Sequence, residues 1–108
     1  MAGQFQVAYA FATPSSTGDT TIVAAQTGQR IIVLQLCVIT SNSNTVKFQT
    51  SSGPADISCT WPLAQNGGFV LPYSELGWMQ TNIGDALMFA QTTAVSTAIQ
   101  LVWCPANF

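Results

Sequence analysis

Apolar and polar positions alternate with a period of two along most of this chain, and no segment shows a convincing period of 3.6. The longest apolar run, Gly28 to Thr40 (GQRIIVLQLCVIT), departs from that alternation because both of its faces are apolar. Strict alternation puts Ile32, Leu34, Leu36 and Val38 on one side and Ile31, Val33, Cys37 and Ile39 on the other, with Gln35 the interruption. A strand with water on one face would carry polar residues there. The run therefore predicts a central strand covered on one side by an opposing sheet and on the other by a neighbouring loop or another subunit. It is too short to cross a membrane as a helix, which takes about 20 apolar residues.

Around this strand the pattern predicts shorter ones. Residues Gln4 to Ala12 alternate, with Phe5, Val7, Tyr9 and Phe11 on one face, read as an inner aromatic side. The segment 1–12 is either a first strand or an N-terminal arm. TPSSTGDT is a loop, TTIVAAQ a short strand, and SNSN a turn into TVKFQT. There Val46 and Phe48 face in and Lys47 and Gln49 out, which reads as a hairpin partner of the central strand. Pro62 places ISCTWPLA at a sheet edge, and Asn66-Gly67-Gly68 marks a tight turn in which glycine supplies positive φ. FVLPY and LGWMQT, irregular through Pro72 and Gly77, read as edge strands or a corner. ALMFAQT puts Leu87 and Phe89 inward. TAIQLVWCP puts Ile99, Leu101 and Trp103 on one face and ends at Pro105. About eight short antiparallel strands at roughly ten-residue spacing predict an all-β fold, a single-domain β-sandwich over residues 1–108.

Composition narrows the function classes. Charged residues are 6% of the chain, against about 25% in an average domain, so the polar surface is built from Ser, Thr, Asn and Gln. Two cations, Arg30 and Lys47, are too few to neutralise a phosphate backbone, which argues against nucleic acid. So few charges protect poorly against association, and a homo-oligomer is the expectation. No stretch resembles a signal peptide or a membrane span.

Candidate chemistry is sparse. The chain has no histidine, so a serine or cysteine nucleophile lacks its usual base, and no enzymatic activity, cofactor or metal site is expected. Asp19, Asp56 and Asp85 sit at loops or strand starts, where aspartate accepts backbone amides. Cys37, Cys59 and Cys104 lack metal-ligand spacing and read as buried free thiols, with a Cys59–Cys104 pair as the alternative. Arg30, the single arginine, opens the central strand and reads as a strand-end residue or an intersubunit ion pair. Trp61, Tyr73 and Trp78 come from the irregular middle of the chain. They pack under loops, form a protein contact, or stack on sugar rings in a glycan- or host-surface-binding module of a tail or fibre. Phe5 and the C-terminal Phe108 complete the candidate interface residues.

Ordered along the chain, Pro62-Leu63-Ala64, Asn66-Gly67-Gly68, Pro72 and Thr81-Asn82-Ile83-Gly84-Asp85-Ala86-Leu87 follow the central strand and NTVKFQT. This series resembles the small β-sandwich proteins that decorate the capsids of tailed bacteriophages, over roughly the last three quarters of the chain. The resemblance implies a jelly-roll subunit, often trimeric, that sits on the outside of the virion, binds the major capsid protein and clamps neighbouring shell subunits. It further implies a protein made in the host cytoplasm and without enzymatic activity. The low charge and the three cysteines depart from a generic member and point away from attachment through salt bridges.

Overall fold

The computed structural model describes residues 7–107, and within them every regular element is a strand. The order is β1 (Ala8–Ala12), β2 (Gly18–Val23), β3 (Arg30–Thr40), β4 (Asn44–Thr50), β5 (Ala55–Asp56), β6 (Trp61–Leu63), β7 (Gly68–Leu71), β8 (Met79–Gln80), β9 (Leu87–Gln91) and β10 (Thr97–Ala106). Two antiparallel sheets form. Sheet A runs β1-β10-β3-β7 with β8 also on β3, and sheet B runs β2-β9-β4-β5 with β6 also on β4. Because β5 and β6 share one flank of β4, and β7 and β8 one flank of β3, ten strands occupy eight positions. Successive positions cross between the sheets except from β4 to the β5–β6 position, which folds back within sheet B, and this is the winding of a jelly roll.

The chain after Thr40 departs from the expected hairpin. β3 pairs with β10, β7 and β8, whereas β4 lies in the other sheet beside β9, β5 and β6. Thr40 to Asn44 is an arch between sheets rather than a hairpin turn. Its foot is fixed by Asn44, whose amide donates to Gln91 Oε1 at 2.8 Å and to Thr97 Oγ1 at 3.2 Å, so one side chain ties β4 to β9 and to β10 of the opposite sheet. Val46 and Phe48 do face inward as expected, and they share one buried core with Leu36 and Val38 of sheet A.

The central strand also differs in phase. Ile31, Val33, Leu36 and Val38 are buried in the core between the sheets, while Ile32, Leu34, Cys37 and Ile39 lie on the outer side. The switch occurs at a bulge, where Val102 pairs with Gln35 and Trp103 with Val33, leaving Leu34 as the extra residue. A bulge shifts the period-two pattern by one, so residues before and after it present opposite parities to the core. The same interruption explains the split flank of β3. β7 pairs with Leu36 to Ile39 and β8 with Ile32 and Val33. Between them the segment 72–78 loops out, anchored by Ser74 N–H on Leu34 O at 2.9 Å and Trp78 N–H on Val33 O at 2.7 Å.

The core is filled from both sheets. Phe48 meets Phe89 edge-on at 5.3 Å and Trp61 at 6.3 Å, and Trp61 meets Phe69 at 4.6 Å. Ile99 and Leu101 are buried, with Trp103 packed against them, as the alternation of β10 indicated. β1 is the exception. Ala10 packs on the core while Tyr9 and Phe11 point outward, 73% and 78% exposed, so the aromatic side of this strand is its outer side. Pairing dictates it: Ala10 lies opposite Leu101, a core residue, and paired residues share a face. β10 also continues through Pro105 to Ala106, where among the described residues it pairs only with β3, so the missing N–H of Pro105 is tolerated.

Two glycines are dictated by close approach. A Cβ on Gly68 would run into the Val38 carbonyl and the Ile39 backbone, and one on Gly77 into Ile32 Cγ2. In the Asn66-Gly67-Gly68 turn, positive φ belongs to Asn66 (φ 60), contrary to the expectation that glycine would supply it. The ends of the sandwich are closed by polar clusters. At one, Asn44, Gln91 and Thr97 bond among themselves, and Gln91 also donates to Ser16 O and Val95 O. At the other, Asp85 accepts from the Thr50 and Ser52 hydroxyls and from Ser52 N–H, and Thr81 exchanges bonds with Ile31.

Candidate functional site: an uncharged outer sheet face

The two outer faces of the sandwich are unlike. Sheet B presents Asp19, Thr21, Thr45, Lys47 and Asp56, with Lys47 Nζ 3.0 Å from Asp56 Oδ1 and Gln49 Nε2 donating to the same oxygen at 3.0 Å. The bond from Gln49, then that from Lys47, holds the Asp56 carboxyl below its ordinary range. Three of the chain's six charged residues lie here, and the other three, Arg30, Glu75 and Asp85, lie at strand starts or in connections.

Sheet A carries no charge across the upper half of its outer face. One row of paired residues crosses four strands, Phe11, Gln100, Cys37 and Val70. The row on one side is Tyr9, Val102 and Gln35, and that on the other is Ala98, Ile39 and Gly68. Val70 is 62% and Ile39 52% exposed, next to the still more exposed Tyr9 and Phe11. Two shallow grooves meet at Cys37 and Gln100, one walled by Phe11, Ile39 and Ala98, the other by Tyr9, Gln35 and Val70. Exposed β-branched and aromatic side chains standing together on a pleated surface form the kind of patch that marks a contact site.

Below the bulge the same face is covered. Ile32, Leu34 and Cys104 form a second buried cluster with Val102 and Ala106 against it. Burial raises the Cys104 thiol above its usual pKa. The segment 72–78 lies along this half as an apron, turned by Gly77 N–H on Ser74 O at 3.1 Å with Gly77 at φ +83. Trp78 Nε1–H donates to Pro72 O at 2.7 Å, pinning one side of the turn to the other. At the tip Leu76 is 94% exposed. Among the described residues, the second layer over the central strand is therefore a loop on one half and nothing on the other.

Of the interface candidates from sequence, the structure brings Tyr73 and Trp78 together on the apron, both about half-exposed. Trp61 stands apart from them, its ring half-buried against Phe48 and Phe69. The three aromatics do not form one sugar-stacking platform. Arg30 is half-buried opposite Ala106 at the start of β3. Phe5 and Phe108 lie outside the described residues. The three cysteines are free thiols: Cys104 is buried as expected, but Cys37 is only half-buried and Cys59 is exposed. Sequence reasoning missed Tyr9, Phe11, Cys37, Ile39, Val70 and Leu76 as a surface, though the doubly apolar run signalled that something must cover it.

Neither a protein-family model nor a curated protein matches the chain. Solved structures share its fold. A chain of the cyanophage Pam1 capsid asymmetric unit superposes with a TM-score of 0.57 at 13% identity, over 96% of this chain and 88% of that one. A chain from Bacillus endospore appendages, described as a novel family of disulfide-linked pili, gives 0.50 at 14% identity, over 98% and 92%. Both matches span nearly the whole of either chain, so the sandwich here is similar to these subunits as a complete unit.

Proposed function

We propose that this chain is a virion structural protein, a non-enzymatic capsid decoration subunit that binds the outside of an icosahedral phage shell as a homo-oligomer and clamps neighbouring major capsid subunits. The observation that carries this reading is the two-sided sandwich, polar on the outer face of sheet B and uncharged and apolar on the upper half of the outer face of sheet A. A subunit whose apolar side is left bare by its described residues is built for assembly, and a chain of a cyanophage capsid supplies a precedent for the fold in a shell. Three copies is the number that the resemblance to decoration proteins implies, matching a clamp at local three-fold positions. Attachment to the shell runs through the apron, where Leu76, Tyr73 and Trp78 offer apolar contacts on a loop braced against β3.

The test is co-sedimentation of the purified protein with empty capsids of the virus that encodes it. Saturable binding that Leu76→Glu abolishes, with unchanged thermal unfolding, supports the reading. Absence of binding to expanded and unexpanded shells alike refutes it.

A further inference from the structure

We infer that the bare upper half of the sheet A outer face is where copies of this chain join one another, packing Tyr9, Phe11, Ile39 and Val70 against the same face of another copy around an axis near Cys37. This deepens the proposed reading by naming a surface of self-association, a two-fold contact that by itself joins copies in pairs rather than the three that the resemblance implies, and it does not depend on attachment to a shell.

Area is the first reason. With 73%, 78%, 52% and 62% of their surfaces exposed, Tyr9, Phe11, Ile39 and Val70 together offer roughly 600 Å² of mostly apolar surface, the upper end of what a monomer leaves bare. Gln35, Cys37, Ala98 and Gln100 lie between them and bring the face toward the ~800 Å² that each partner buries in a stable interface. Charge is the second. A surface that meets its own copy must not carry an uncompensated charge, because each charge would face a like one, and this face carries none. Its polar groups, the amides of Gln35 and Gln100, each hold both donors and an acceptor, so they can pair with themselves. A partner recognised by charge would find nothing to bind here.

Shape is the third. The grooves on either side of Cys37 and Gln100 lie next to the projecting rings of Tyr9 and Phe11, so the knobs of one copy have hollows to enter on another. β-sheets stack about 10 Å apart, and at that spacing Cys37 thiols on adjoining copies come within reach of a short bis-maleimide. They need not be close enough for a direct disulfide.

The experiment uses the full chain carrying Cys59→Ser, which removes the exposed thiol and leaves Cys37 and the buried Cys104. Sedimentation at micromolar concentration is expected to give an oligomer, and the bis-maleimide to link copies through Cys37, with the linkage lost in Cys37→Ser. Val70→Glu and Phe11→Glu, both at exposed positions, are expected to leave thermal unfolding unchanged. Each should weaken self-association on the order of 100-fold or more, because each buries unpaired charge in the contact. A chain that sediments as a monomer, or an oligomer that survives both substitutions, overturns the inference. Loss of capsid binding by Leu76→Glu with the oligomer intact bears on the shell contact alone, so the two proposals fail separately.

Discussion

Removing the Asp85 carboxylate should open one end of the sandwich. Asp85 is 8% exposed, and it accepts from Thr50 Oγ1 at 2.6 Å, Ser52 Oγ at 2.7 Å and Ser52 N–H at 3.1 Å. The Thr50 hydroxyl is itself the acceptor for Asn82 N–H at 3.0 Å, so the carboxylate orients a bond that holds the 81–85 turn to the end of β4. The same turn grips β3 through Thr81 and Ile31, and Asp85 therefore helps keep the two sheets in register at this end. In Asp85→Ala the Thr50 hydroxyl, 1% exposed, loses its acceptor, and a buried unmet donor costs about 1–3 kcal/mol. Adding the two less buried bonds to Ser52 gives an expected loss of about 3–4 kcal/mol, a large part of the ~5–15 kcal/mol that a domain of this kind has.

The titration gives an independent check. Hydrogen bonds from Thr50, then Ser52, lower the Asp85 pKa from its ordinary 3.8. A carboxyl whose folded pKa lies below its unfolded one contributes its full stability above the unfolded pKa, and loses it as pH falls through the folded value. Urea unfolding followed by tryptophan fluorescence should therefore show the wild-type protein losing stability below about pH 4, with a shallower loss in Asp85→Ala. Asp56 also has a lowered pKa and leaves some acid sensitivity in the variant. A cost under about 1 kcal/mol at neutral pH, or an unchanged acid limb, would refute the account of this turn.

Other perturbations have equally definite outcomes. Gln91→Leu removes the group that bonds Asn44 and Thr97 in the buried inter-sheet cluster, and chemical denaturation should show a loss of about 2–3 kcal/mol. Gly68→Ala places a methyl against the Val38 carbonyl, so β7 must shift from β3, and a loss of at least about 2 kcal/mol is expected, with faster amide exchange at Phe69 and Val70. With a thiol reagent, Cys59 should react at once and Cys104 only on unfolding, since Cys104 is buried and burial disfavours its thiolate. Rapid labelling of Cys104 in the native state would mean that the cover over Ile32 and Leu34 opens freely.

The jelly roll was legible because its strands are short, apolar and separated by Pro, Gly and Asn, and because the edge position of Pro62 and the end of β7 before Pro72 follow from the donor that proline lacks. What alternation could not convey was which face turns inward when both are apolar. In β1 the alternatives were alanines and aromatics, and hydrophobicity favours the aromatics, but the alignment of Ala10 with Leu101 sends the rings outward. In β3 a single extra residue, Leu34, reverses parity halfway along, and nothing local to IIVLQLCVIT announces it. The bulge belongs to the pairing with β10 and to the apron that fills the gap, which are long-range facts. SNSN likewise suits a hairpin or an arch equally well; the choice rests on Asn44 reaching Gln91 and Thr97, 47 and 53 residues away.

The candidate surface was half legible for the same reason. The sequence required a cover for the second apolar face of the central strand, and Tyr73 and Trp78 were picked out as part of the irregular segment that supplies it below the bulge. Phe11, Cys37 and Val70 fall in one row only once β1, β10, β3 and β7 are in register. No spacing in the sequence links them.

The central claim is that the uncharged half of sheet A is covered by other copies of the chain rather than by water. Solution mass measured by light scattering after gel filtration, at micromolar concentration and for the wild type beside Val70→Glu, tests it most directly. An oligomer of defined mass that Val70→Glu reduces to a folded monomer is the predicted result. A wild-type monomer, or an oligomer indifferent to a charge at position 70, would contradict it.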